Sequence, residues 1–217
     1  MREITFSVGP LAAASANAIC LSQTPGAAGN LTIAGALASG GVATMDTPRR
    51  VLITAAGNES TKTFTIYGTN WSGQNISETI TGPNVSTAQS VLDYATVTRI
   101  SISAAAAGAI TVGTSGVASS QWVMLDHWAN AQTAVQAVVS GTANYTIQQT
   151  LDSTNSTTAP VAPTSVTWFS SADAAVVNAT ASAQSSYAYS PTMVRVTLNS
   201  GSGSVTVKLV QFGVVPY

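Results

Sequence analysis

The sequence predicts an all-β protein: two tandem antiparallel β-sandwich modules, of jelly-roll or immunoglobulin-like (Ig-like) type, preceded by an extended N-terminal arm. First, short runs alternate apolar with hydroxyl residues, and Gly, Pro, Asn or Ser bounds each run. Second, these turn signals recur roughly every 8–12 residues, which is typical of sandwiches. Third, several short segments of the sequence occur twice in similar form, which indicates a modular chain. No stretch has the apolar spacing of a long amphipathic helix.

The repeat consists of three pairs of matched runs: 63–66 with 144–147, 98–102 with 194–198, and 110–112 with 205–207. In each copy the last two runs are separated by a short loop of small residues, which predicts a β-hairpin. The copies differ in length, because 50 residues separate 144 from 194 but only 35 separate 63 from 98. The additional residues lie near 152–164, where Ser, Thr and Pro are frequent. A longer loop on a matched module is either a contact surface or a tolerated insertion.

The repeat and the turn signals divide the chain into four parts: an arm over 1–29, a first module over 30–119, an aromatic junction over 120–130, and a second module over 131–217. The arm has one short alternating stretch, then Pro10, an Ala/Ser-rich segment and the turn Thr24-Pro25-Gly26. The junction holds the most aromatic stretch of the chain, which favours a buried strap between the modules.

Each module is predicted to have six or seven strands. Those of the first module are 30–36, 42–45, 50–54, 63–67, 76–81, 97–103 and 109–114; those of the second are 134–140, 144–150, 165–169, 174–179, 192–198 and 205–212.

Charged residues make up 7 % of the 217 residues, against roughly 25 % in an ordinary domain. A net charge of −1 offers no basic face for nucleic acid or for a membrane surface, so neither is an expected partner. The surface must consist of neutral polar side chains, either covered by partner subunits or exposed to solvent. The single cysteine, Cys20, excludes an internal disulfide. No apolar run is long enough to span a membrane.

Residues that carry chemistry are few and scattered. The one histidine, His127, lies beside Asp126, and adjacent residues of a strand point to opposite faces. The eight acidic residues are spread singly, and one His with one Cys cannot form a structural zinc site. We therefore expect no enzyme, no catalytic residues, no cofactor and no metal, and we interpret His127 as a structural residue of the junction.

Four residues are candidates for contact with a partner. Arg99 and Arg195 occupy the same position of the repeat, and each either pairs with an acid of a neighbouring subunit or is an ordinary strand residue bound to water or to a local carbonyl. Trp71 and Trp168 could stack on sugar rings or fill partner pockets, although core packing is the commoner role of such residues.

Much of the chain resembles small virion proteins encoded in the morphogenesis gene clusters of tailed phages. The resemblance is strongest over 23–116. It is carried by the segments 23–37, 40–43, 48–54, 63–69 and 78–84, whose residue patterns are typical of strands and turns. It implies a structural protein of the virion, assembled in the host cytoplasm, and it implies no catalytic residues.

Together these features predict a capsid decoration or cement protein that binds and stabilises the major capsid shell. Its partners would be the major capsid protein and copies of itself, in a homotrimer, with the arm 1–29 lying along a neighbouring subunit. Two alternatives stay open. One is a neck or tail component, such as a tail-tube, adaptor or fibre-attachment protein; the other is a carbohydrate-binding adhesion module.

Overall fold

The computed structural model describes residues 2–126 and 132–211. Within these ranges the chain is almost entirely antiparallel β-structure, as predicted. Its strands are β1 Arg2–Val8, β2 Ser15–Gln23, β3 Gly29–Asn30, β4 Ala38–Ser39, β5 Val42–Ala55, β6 Thr63–Thr69, β7 Asn75–Thr81, β8 Thr87–Ile102, β9 Ile110–Thr114, β10 Ala118–Ser119, β11 Val123–Met124, β12 Thr133–Ser140, β13 Asn144–Thr150, β14 Phe169–Ser170, β15 Ala183–Tyr187, β16 Met193–Ser200 and β17 Ser204–Gln211. The strands predicted at 165–169 and 174–179 are largely absent: a 3₁₀ helix Pro163–Ser165 and the short strand β14 flank an irregular stretch over 166–168, and a second 3₁₀ helix, Ala174–Val176, occupies the start of 174–179.

The chain forms two compact units, and one is inserted into the sequence of the other. The inserted unit is Ala12–Gly116; the outer unit contains the residues up to Leu11 and those from Val117 onwards. These boundaries differ from the predicted modules 30–119 and 131–217. The predicted junction also differs, because the part of 120–130 that the structure describes belongs to the outer unit, where Val123 and Leu125 are buried in the core. His127 lies outside the described residues.

The extended arm predicted for 1–29 is instead two strands that belong to different units. Strand β1 pairs along its whole length with β17, from Arg2 opposite Gln211 to Val8 opposite Val205. Strand β2 pairs with β9 in the inserted unit. The alternation in residues 3–8 explains the difference, because Phe6 and Val8 are buried in the outer core and would be exposed on a free arm.

The outer unit is a two-sheet sandwich. One sheet has the order β1-β17-β12-β15, and the other has the order β10-β16-β13-β14, with β11 also paired to β16. Alternate side chains of both sheets meet in one core, in which Tyr145, Val196 and Val207 are fully buried.

The inserted unit is built from strands in the order β2-β9-β5-β8-β6-β7. The long strand β8 pairs with β5 over most of its length and with β6 over residues 96–102. The core contains Phe64, Ile66 and Ile100, all fully buried, together with Cys20, whose burial raises its pKa to about 12. A thiol with such a pKa stays protonated and unreactive at neutral pH.

The repeat survives in the pairing of the strands but not as hairpins. Ile66 lies opposite Ile100 in β6–β8, and Ile147 lies opposite Val196 in β13–β16, so the two ladders have the same register. The predicted hairpins are wrong, because β8 does not pair with β9 and β16 does not pair with β17. Strand β9 pairs with β5 instead, and β17 pairs with β12. The short loops after β8 and β16 therefore connect strands that are not hydrogen-bonded to each other.

Two charged side chains hold the inserted unit together at its ends and at one turn. The Arg49 guanidinium, 2 % exposed, bonds Asp46 at 3.0 Å, the Ala12 carbonyl at 2.8 Å and the Ser115 carbonyl at 3.4 Å. The buried Glu59 carboxylate bonds Lys62 at 2.6 Å and accepts the backbone N–H groups of 107 and 108 at 2.8 and 3.1 Å. Burial acts to raise the pKa of Glu59, but the Lys62 ammonium and the two N–H donors outweigh it, and the pKa is lowered.

We expect that Phe6→Ala destabilises the outer unit by about 3–5 kcal/mol, because it empties a buried aromatic site in the core. Urea unfolding of the full chain measures the change. Arg2→Ala, at an exposed position of the same strand, is the control and should have little effect. Equal small losses for both variants would contradict the assignment of β1 to the core.

The lowered pKa of Glu59 predicts a loss of stability in acid. Its contribution is complete above about pH 4.5, the ordinary glutamate value, and is lost as the pH falls through the lower folded value. Glu59→Gln should therefore open the turn at 107–108 at neutral pH, and the difference from the wild type should shrink in acid. Hydrogen exchange of the Ala107 and Gly108 amides measures this. Glu3→Gln, at an exposed acid, is the control; an undiminished difference in acid would contradict the prediction.

Candidate functional site

The two repeat-related arginines lie in matching places on their strands. Arg99 of β8 is opposite Tyr67 of β6, and Arg195 of β16 is opposite Gln148 of β13. The repeat thus identified equivalent positions correctly. What surrounds the two guanidinium groups is different.

Arg99 is exposed and lies over an aromatic ring. Its guanidinium carbon is 3.7 Å from the centre of the Tyr67 ring, within the range of a cation–π interaction. The two residues line an open pocket of about 400 Å³, whose rim also includes the polar side chains of Asn75, Ser77 and Thr98. This is the size of a site that holds one side chain or one small ligand.

A β-bulge shapes this pocket. Tyr67 is opposite Arg99 but Gly68 is opposite Val97, so Thr98 is the additional residue of β8. Bulges redirect neighbouring side chains. Gly68 is required here, because a β-carbon on it would lie 1.9 Å from the Thr96 carbonyl oxygen. The β13–β16 ladder has no bulge at the equivalent position, because Gln148 is opposite Arg195 and the next residue, Gln149, is opposite Val194.

Arg195 is buried, with 4 % exposure, and is satisfied within the chain. Its Nε donates to Gln148 Oε1 at 2.8 Å, and its guanidinium carbon is 4.2 Å from the centre of the Trp168 ring. Trp168 packs edge-to-face on Trp122, with ring centres 5.3 Å apart. The longer loop of the second repeat copy therefore ends with a residue, Trp168, that covers Arg195.

The structure brings Arg195 and Trp168 together. Trp71 and Arg99 both belong to the inserted unit, and Trp71 does not line the pocket at Arg99. Trp71 is 37 % exposed in the turn between β6 and β7, which Asn70 closes by accepting two backbone N–H groups at 2.9 and 3.0 Å. Tyr67 was not among the predicted contact residues. The signal was available in the repeat, because Tyr67 follows the matched run 63–66 as Gln148 follows 144–147.

A second surface feature is a group of large exposed apolar side chains on the outer unit. Met124 of β11, Leu151 after β13, Phe169 of β14 and Tyr189 are each between 43 and 71 % exposed. They are spread across one sheet: Met124 lies on the edge strand β11, Phe169 lies on the opposite edge strand β14, and Leu151 follows β13 between them. The Tyr189 hydroxyl is bonded by Gln149 of β13. We call these four residues the edge patch.

The described residues contain no group of three or more His, Cys, Asp or Glu that could hold a metal ion. Nor do the described ranges include a helix long and apolar enough to cross a membrane. No protein-family model matches the sequence, and no curated protein is detectably similar to it.

Removal of the indole over Arg195 should destabilise the outer unit. Trp168→Ala deletes the stacked ring and uncovers a buried cation, and we expect a loss of roughly 2 kcal/mol or more. Urea unfolding measures it. Trp71→Ala, in an exposed turn of the inserted unit, is the matched control and should cost much less. Equal losses would show that Trp168 does not stabilise Arg195.

Proposed function

We propose that the chain is a structural protein of a tailed-phage particle, bound to the outer surface of the capsid as a decoration or cement protein. The edge patch is the observation that carries the proposal. Its four large apolar side chains are exposed on or beside the strands of one sheet, where they offer apolar surface to a partner protein.

The distribution of charge supports the same role. Arg49, Glu59 and Arg195 are buried and serve the fold, so part of the small set of charges is unavailable for long-range attraction. Contact with a partner then rests on apolar and neutral polar surface, as in permanent protein assemblies. The resemblance to phage virion proteins agrees with this chemistry.

The fold changes how such a protein would bind. Because β1 and β2 are parts of two cores, residues 1–29 are not available to lie along a capsid subunit. We assign the contact to the edge patch instead, with many copies bound to a symmetric lattice so that weak contacts add through avidity. A homotrimer remains the proposed state, and mass photometry of the purified chain measures it.

The neck or tail alternative uses the same contact chemistry and differs in copy number. Quantitative mass spectrometry of purified particles distinguishes the two, because a decoration protein follows the number of capsid subunits and a neck or tail protein follows a small multiple of the axial symmetry. For the adhesion alternative, Trp168 is a poor sugar platform because it already packs on Arg195 and Trp122.

A double variant, Leu151→Asn with Phe169→Ser, should weaken binding to assembled shells of the cognate major capsid protein by at least about tenfold, because it removes much of the apolar contact area. Co-sedimentation with the shells measures binding. Val85→Asn with Val91→Asn, two exposed apolar residues of the inserted unit, is the matched control. Undiminished sedimentation of the patch variant would overturn the assignment of the contact surface.

A further inference from the structure

The two repeat-related arginines differ in one respect that has a chemical meaning. A guanidinium presents five N–H donors in a plane and is stabilised by an aromatic face together with a hydrogen-bond acceptor. Arg195 has both inside the chain, in Trp168 and Gln148. Arg99 has the aromatic face of Tyr67, but among the residues that the structure describes no oxygen accepts a hydrogen bond from its guanidinium. The exposed N–H donors of Arg99 are therefore available to an acceptor outside the chain.

We propose that the pocket at Arg99 binds a carboxylate, carried by an aspartate or glutamate side chain of a partner protein. A carboxylate is the acceptor whose two oxygens match a guanidinium edge in a bidentate pair. The Tyr67 ring fixes the plane of the guanidinium, so less side-chain freedom is lost on binding. Ser77 and Asn75 can supply further donors around the pocket of about 400 Å³, whereas the Thr98 hydroxyl donates to the Tyr67 carbonyl at 3.3 Å.

The chain's own acids are already in use, which points to a different protein as the source. All eight acidic residues hold interactions within the chain. Glu3, Asp46 and Glu59 pair with Lys208, Arg49 and Lys62; Glu78, Asp152 and Asp173 accept backbone N–H groups; and Asp93 and Asp126 also have partners. In a second copy each of these carboxylates would have to accept Arg99 in addition to the partner that it already has.

Glu78 is the acid nearest to the pocket along the strand, and its geometry excludes it as the partner. It follows Ser77 in β7 but is buried on the other face of the strand, where its oxygens accept the N–H groups of Val91 and Leu92 at 2.8–3.0 Å. The pocket therefore keeps a net positive character, although an acid lies one residue away in sequence.

The carboxylate site stands on the geometry of Arg99, and only its source, a neighbouring virion subunit, rests on the proposed function. The test uses the full ¹⁵N-labelled chain and the NMR signal of the Arg99 Nε–H group. The probes are acetyl-Gly-Glu-Gly-amide, its glutamine counterpart, and sodium glucuronate as an acidic sugar. We expect saturable, salt-sensitive shifts of Arg99 and Thr98 with the glutamate peptide, at millimolar affinity, and none with the glutamine peptide.

Arg99→Gln should weaken binding of the glutamate peptide by about tenfold or more, and Arg99→Lys should also weaken it because an ammonium cannot make the bidentate pair. Arg2→Gln, which removes another exposed arginine, is the matched control and should bind as the wild type does. Unchanged backbone spectra establish that each variant is folded.

Three outcomes overturn the proposal: no saturable shift, equal shifts with the glutamine peptide, or tighter binding of glucuronate than of the glutamate peptide, which would assign the site to acidic glycans. Shell binding separates this from the proposed function. If the wild type binds the glutamate peptide but not the shells, the carboxylate site stands and the capsid role fails. If it binds the shells and Arg99→Gln binds them equally, the site contributes nothing to that contact.

Discussion

Both units depend on the same constraint, which is that the first strand must pair with the last. In the outer unit β1 forms an antiparallel ladder with β17, and in the inserted unit β2 does so with β9. The β1–β17 ladder joins residues about as far apart as the chain allows, so a long loop must close before the outer core is complete. All strands of the inserted unit lie within Ala12–Gly116, and its own closure spans a much shorter stretch of chain. Long-range pairing of this kind slows folding, and the outer unit carries more of it.

Arg49 shows how an inserted unit can be sealed at its ends. The residue joins Ala12, where the unit begins, to Ser115, next to where it ends, and Asp46 accepts the Ala12 N–H at 2.7 Å while it pairs with the guanidinium. Loss of Asp46 would leave the buried Arg49 guanidinium without its counter-charge, so the pair is coupled to the integrity of the unit. A hydrophobic side chain could fill the same space but could not bind two carbonyls at once.

The alternation of side chains allowed the strands to be predicted but not their partners. Strand β13 was predicted as 144–150 and is Asn144–Thr150, and β6 was predicted as 63–67 and is Thr63–Thr69. Alternation determines which face of a strand is buried, and that face is equally buried in a hairpin or in a strand of the opposite sheet. The hairpins were therefore predicted wrongly. For the same reason the stretch 3–8 was recognised as alternating without a sign that its partner was the last strand of the chain.

The candidate site was predictable to the same extent. The repeat identified Arg99 and Arg195 as equivalent, and the register of β6–β8 and β13–β16 agrees. Arg195 is buried in part because Trp168, at the end of the longer loop, packs on it. No local sequence pattern predicts which strand the end of such a loop will contact. A duplicated module keeps its ladder because the core requires it, whereas a loop at its edge is free to change length. In one copy the loop has supplied the ring that covers the arginine; in the other the same strand position remains open to solvent, and any acceptor for Arg99 has to come from outside the described chain.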